Sequence, residues 1–497
     1  MNRRFLSFLL IILILSSVVV SCVSRGDGGE TTTAGETQSE GYDPDLTALE
    51  NAKKQYNSAY LETLKGREFT ILSPSPGEHF YYYNGSGENE IWYDEPSSES
   101  LPNAVYQRNR KLEDALGITI TPNWGGSVNA VSDIVTLNDA SGSHEYDVIL
   151  NRMDYEMTMA SNRQLMSFYD VGSIGLENNW WDQKIVNSFT IYGDKLYVLT
   201  GDINFYDDYS VQLILFNKGI CDELKFEYPY QAVRDGKWTL DMMTEMAAVA
   251  KHDVNGDDIM TPGVDRFGIG EGIDCIFGYL YSMGLSMSTV GSEGVPEVVW
   301  ATDKSVAAVE KLYEVFTADY TAINITENLG YFKKDKILFY STLLGSISSM
   351  RDMETDFGVL PVPKGDPTMD GYGAYMSNGW STSYAMPKTL ASDEAYDAGV
   401  ILECMAAASK DTISPVLYEQ LLESKLIRDP ESKEMLSYVS DSKVYDWAGD
   451  LAWADSLRNV YRGVLNNGPS SFTRSLEKVR KPLQSSLDSY CEGLRGR

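Results

Sequence analysis

KLYVLTGDINFYDDYSVQLILFNKGI, residues 195–220, holds two apolar runs, KLYVL (195–199) and VQLILF (211–216). An acidic and aromatic connection, TGDINFYDDYS, parts them. Short apolar runs bounded by Gly, Asp and Ser read as buried strands. Outward from this stretch the pattern recurs. FTILS (69–73) is a strand that ends in the turn Pro74-Ser75-Pro76-Gly77, and ITI (118–120) and YDVIL (146–150) are two more. Helical stretches separate them. NAVYQRNRKLEDALG (103–117) is stopped by Gly117, and KWTLDMMTEMAAVAKHD (237–253) has Thr239 as N-cap and Asp241 in its first turn. Strands separated by helices imply parallel sheets covered by helices, the α/β class. Ligands of such sheets sit beyond the carboxyl ends of strands, which draws attention to Ser73–Glu78, Asn151–Tyr155 and Gly201–Tyr209.

The chain's 497 residues are enough for two domains. Its formal charge is −31, and −33 once residues 1–21, with two arginines and no acid, are removed. That charge argues against nucleic acid or anionic lipid as a direct partner. The start, MNRRFLSFLLIILILSSVVVSC, has a basic head, an apolar core and a small residue before Cys22, the layout of a secretory signal. Val19-Val20-Ser21-Cys22 resembles the lipobox of bacterial lipoproteins, with valine where leucine is usual; the resemblance implies lipidation of Cys22. Residues 23–45 are Gly, Ser, Thr and acid and read as a tether; Leu46 to Leu64 reads as a lead-in helix. Cys221, Cys275, Cys404 and Cys491 could form two disulfides in three pairings, but buried thiols are the simpler reading, and no CxxC or metal spacing is present. The late stretch SSFTRSLEKVRKPLQSSLDSY (470–490) reads as an amphipathic helix that Pro482 kinks.

The order of KLYVLTGDINFYDDYSVQLILFNKGI, GKWTLDMMTEMAAVAKHDVNGDD (236–258), YFKKDKILFY (331–340), DFGVLPVPKG (356–365) and NGWSTSYAMPKT (378–389) resembles the family 1 extracellular solute-binding proteins of bacterial ABC importers, typified by sugar binders. The resemblance implies a two-lobed periplasmic-binding-protein-like (type II) fold, its ligand in a cleft between lobes joined by chain crossings. It divides the chain into a signal peptide (1–21), a lipidated tether with lead-in helix (22–65), a first lobe (66–208 plus 331–375) and a second lobe (209–330 plus 376–497). The implied function is a non-enzymatic, monomeric binding lipoprotein on the outer face of the cytoplasmic membrane, passing a carbohydrate to permease subunits. The rivals from other classes are a secreted glycan-active hydrolase and a surface adhesin or scaffold.

A carbohydrate site wants flat aromatic platforms ringed by bidentate polar groups. Trp380, on an implied crossing, is the leading platform; Asp202, Asn204, Tyr206 and Asp207 lie on the other crossing, and Trp447 and Trp453 come from a late segment. The pair Trp180-Trp181 reads as core, and the FYYY run (80–83) as cleft rim or strand end. The only histidines are His79, His144 and His252, and no GxSxG, HExxH or Walker pattern occurs. A glycosidase needs only two carboxylates, so 72 acids leave that rival standing. After the helix at 237–253, Asp253, Asn255, Asp257 and the Ile259 carbonyl occupy positions one, three, five and seven of a calcium-type loop. Position six is Asp258 and not Gly, and the closing carboxylate would be Asp265, one place late, so the ion would be structural.

Overall fold

The computed structural model of the chain describes residues 42–78, 89–377, 380–423 and 430–495. The signal stretch, Cys22, the tether up to residue 41, the FYYY run and Asn378-Gly379 lie outside them.

Four of the apolar runs become strands because their side chains are wanted on both faces of a covered sheet. β1 (Glu68–Ser73), β2 (Thr119–Trp124) and β3 (Val148–Arg152) are parallel; β13 (Thr382–Pro387) runs antiparallel to β3 and pairs in turn with β4 (Leu165–Met166). The first sheet is ordered β2-β1-β3-β13-β4. The second is ordered β11-β5-β10-β6-β9, from β5 (Gln212–Asn217), β6 (Phe267–Glu271), β9 (Thr321–Ile323), β10 (Ile337–Leu343) and β11 (Phe357–Leu360). Every residue of β5, β6 and β13 is buried. Both sheets are mixed, since β13 in the first and β5 in the second are antiparallel to both their neighbours. A hairpin of β7 (Ser288–Val290) and β8 (Pro296–Val298), and a parallel pair of β12 (Ala374–Tyr375) and β14 (Lys443–Val444), complete the strands of the described residues.

The helix Ser100–Leu116 ends on Gly117 at φ 70°, and Thr239 caps Leu240–Ala250 by accepting the Met242 amide. The C-terminal helix Phe472–Leu494 contains Pro482. Three expectations are corrected. The lead-in helix is two short helices, Ala48–Lys54 and Ser58–Thr63, the second begun by an Asn57 cap on the Ala59 amide. KLYVL is buried from Leu196 to Leu199, yet it makes only isolated bridges, Ile191 with Lys195 and Leu199 with Tyr384. The stretch 331–375, expected in the first lobe, carries β10 and β11, which flank β5 in the second sheet; 376–497, expected in the second lobe, opens with β13 of the first. A largely buried run such as ILFYSTL needs neighbours on both sides, and its composition does not say which sheet supplies them. None of the four described cysteines forms a disulfide.

The chain therefore passes between sheets near 200–211 and again between β11 and β13. The two passages lie side by side: Val211 bridges Met376, and the Ser377 amide donates to the Ser210 carbonyl at 3.2 Å. A third passage follows the helix Ile413–Glu423, which packs on Ser100–Leu116. Its successor Pro430–Asp441 packs on β11, and β14 then joins β12 at the crossing.

Candidate functional site

The crossing is built on buried charge. The Glu90 carboxylate accepts the amides of Phe205 and Tyr206 at 2.6 and 3.0 Å and the Thr382 hydroxyl at 2.5 Å, tying the first passage to β13. Arg108, fully buried, donates to the carbonyls of Glu90 and Ile91 at 2.8 and 3.1 Å. Burial pushes the Glu90 carboxyl up and lowers the Arg108 guanidinium to about 10. Lys443 of β14 lies 2.7 Å from Asp208, 3.4 Å from Asp207 and 3.8 Å from Asp182.

Four sequence-predicted ligand residues are engaged in this crossing. Asn204 is buried and donates to the Thr382 hydroxyl at 3.1 Å; Asp207 is buried on Lys443; the Tyr206 ring packs between Phe205 and Tyr209. Asp202, partly exposed, takes a hydrogen bond from Ser414 and has Lys410 at 3.6 Å; burial raises its carboxyl to about 6. Trp447 is buried, stacked on Phe189 at 4.7 Å with its indole N–H on the Ser188 carbonyl.

Trp380 is placed differently. It is half-buried on the second passage, and the Arg152 guanidinium lies 6.0 Å from its ring centre. Arg152 ends β3 opposite Thr382, so the crossing leaves the first sheet beside it. The same guanidinium lies 5.0 Å from the Tyr155 ring and donates to both Asp154 oxygens at 3.1 and 2.6 Å. Burial pushes the Asp154 carboxyl up against the pull of Arg152. The helix Met153–Ser161 continues the cluster, since Tyr490 donates to the Met157 carbonyl at 2.8 Å. Trp453, partly exposed, packs on Tyr490 at 6.4 Å, and its buried indole N–H has no acceptor. Trp380, Arg152 and Tyr155 thus gather at the carboxyl end of β3, and Tyr490 with Trp453 form a second aromatic pair tied to the same helix through Met157. Sequence reading missed Glu90, Arg108 and Lys443, which carry no motif. It did mark 151–155 as the end of a strand, which was the available signal for Arg152, Asp154 and Tyr155. A separate groove of about 440 Å³ runs along β2, the far edge of the first sheet, and contains none of these residues.

The 253–265 loop is closed on itself. Asp253 accepts the Gly256 and Asp258 amides, Asn255 the Asp257 amide, and Asp257 the Ile259 amide. Asp258 takes φ 61° at position six, and buried Asp265 reaches back to the Val254 and Thr261 amides, which hold its carboxyl below the usual range. Among the described residues no three acidic, histidine or cysteine side chains converge to hold a metal. Nor is any helix there long and apolar enough to cross a membrane.

No family profile and no curated protein matches the chain. Solved structures do. UspC of M. tuberculosis is 14% identical with a TM-score of 0.56, over 84% of this chain and 100% of that one. A sugar transporter from Rhizobium etli, in an open conformation, is 10% identical with a TM-score of 0.54, over 86% and 99%. An ABC substrate-binding protein from Listeria monocytogenes, in complex with cycloalternan, is 13% identical with a TM-score of 0.52, over 85% and 100%. At these identities the likeness is one of fold, and the fold is that of two-lobed substrate-binding proteins.

Proposed function

We propose that the chain is a non-enzymatic substrate-binding protein of an ABC importer that captures a carbohydrate between two lobes and delivers it to a permease. The observation that carries this reading is the cluster of Trp380, Tyr155 and Arg152 where the crossings leave the first sheet. Flat rings present a face to the apolar side of a sugar, and the polar groups between them meet its hydroxyls. The fold adds support, because the Listeria protein of like fold holds cycloalternan and the Rhizobium protein is a sugar transporter. Thermal unfolding against a panel of sugars is the test: a ligand at about a hundred times its Kd stabilises by roughly 2.7 kcal/mol. Trp380→Ala should weaken the best ligand by roughly 1–3 kcal/mol, the worth of a buried aromatic contact. A panel without any stabilising sugar, or unchanged affinity in that variant, removes the sugar or the platform respectively.

The same proposal places the protein outside the cytoplasm on a lipid at Cys22, by the lipobox-like VVSC. Cys22→Ala should leave an unprocessed or released protein; a variant that fractionates with membranes and is processed like the wild type ends that assignment. Calcium in the 253–265 loop belongs here too. Asp253, Asn255, Asp257, the Ile259 carbonyl and Asp265 would hold it once the ion draws together carboxylates that do not converge without it, and it would supply a structural staple. A chelator should lower the melting temperature and calcium restore it, and identical melts would remove the ion.

A further inference from the structure

Arg152 would be an invitation to anions if it stood alone. A guanidinium flanked by two rings and partly open to solvent is well suited to a carboxylate or phosphate, which it binds bidentately through its fork. In this chain the fork is already filled. Nε and Nη2 both point at Asp154, at 3.1 and 2.6 Å, and the two side chains are 24% and 18% exposed. The pair has no net charge, and its guanidinium carbon lies 5.0 Å from the Tyr155 ring centre and 6.0 Å from that of Trp380. What it offers a solute is the Nη1 donor, which Asp154 does not engage, and the remaining lone pairs of the carboxylate. A ring hydroxyl can use both, as donor and acceptor.

We propose that the Arg152–Asp154 pair is a specificity determinant that admits neutral saccharides and rejects anionic ones such as uronates. An anionic sugar would have to displace Asp154 from the fork or bury its own charge beside it. The inference rests on the carbohydrate reading above and deepens it by naming the charge class of the ligand. The chain's net charge of −31 works in the same direction at long range.

The test is calorimetric titration of the mature chain with maltotetraose, cellotetraose, xylotetraose and tetragalacturonate. The wild type should bind at least one neutral sugar, and tetragalacturonate at least about tenfold more weakly, the least that one charge-assisted hydrogen bond is worth. Asp154→Asn frees the fork, and tetragalacturonate affinity should rise roughly tenfold to a hundredfold on the same basis. Adding Arg152→Gln to that variant should cancel the gain. Wild-type protein that binds tetragalacturonate as tightly as the best neutral sugar overturns the inference and leaves the carbohydrate reading intact. A folded Asp154→Asn variant, judged by an unchanged melting curve, that gains nothing overturns it equally. If that variant does not fold, the wild-type ratio decides. Binding of none of the four saccharides overturns the carbohydrate reading and the inference with it.

Discussion

Lys443 is one side chain holding three stretches of chain. Its ammonium sits among Asp182 and, on the first passage, Asp207 and Asp208, while its own strand, β14, pairs with β12 at the crossing. The carboxylates raise it well above the usual lysine range although burial alone would lower it. Removing one partner from a buried charge cluster strands the others, which costs roughly 3–5 kcal/mol. Lys443→Met should therefore lower the unfolding free energy by that order, read as a lower urea midpoint at unchanged slope, without altering the aromatic cluster. A midpoint within error of wild type would show the cluster to be solvated and dispensable. The case also explains why Asp207 and Asn204 were read as ligand groups: an acidic, amide- and tyrosine-rich connection suits a sugar site and a buried crossing equally well.

At the scale of the element, the C-terminal helix is the informative case. Its last turns dock on the helix Met153–Ser161 and the 192–197 stretch, through Tyr490 on the Met157 carbonyl and through Tyr192 and Tyr197 on the carbonyls of Cys491 and Leu494 at 3.0 and 2.6 Å. Its first turns dock elsewhere, with Phe472 on Tyr461 and the Arg480 guanidinium 4.2 Å from the Trp300 ring centre. Pro482 lies between, exposed, where it removes one helical hydrogen bond and makes a bend easy. The helix joins these two sets of contacts with its weakest point in the middle. Pro482→Ala should stiffen that point, since Ala is favoured over Pro by roughly 3 kcal/mol in a helix interior. The expected outcome is a several-fold change in ligand affinity and a shifted radius of gyration by small-angle scattering, from a residue remote from the cluster. If neither moves, the helix does not couple the two sets of contacts.

For the whole molecule, buried carboxyls set the response to pH. Glu403 is wholly buried under Trp180 and Trp181, whose indole N–H groups donate to it at 3.1 and 2.8 Å, and burial raises it to about 8 from 4.5. The folded state then keeps a proton that the unfolded state releases, so stability falls as pH rises from about 4.5 to about 8 and is level above. A shift of this size is worth roughly 3–5 kcal/mol over that window. Glu271 and Glu156 are raised by burial too and act in the same sense. Unfolding free energies measured from pH 4.5 to 8.5 should decline for the wild type and decline less for Glu403→Gln; parallel curves would show that Glu403 is not the titrating group. How much of this was legible beforehand follows from the range of each force. The sequence by itself determined the α/β class, five strands or helix stops such as FTILS, YDVIL and Gly117, the Thr239 cap, and Trp180-Trp181 as core, because apolar period and capping act within a few residues of chain. Which sheet ILFYSTL and TSYAMP would join, that KLYVL would be buried with a bridge to Tyr384 and no ladder, and that Trp380 would come to Arg152 were decided only by tertiary structure. Those outcomes depend on partners more than a hundred residues away, such as β5 for β10 and β3 for β13, and a local pattern records the need for a neighbour but not its identity.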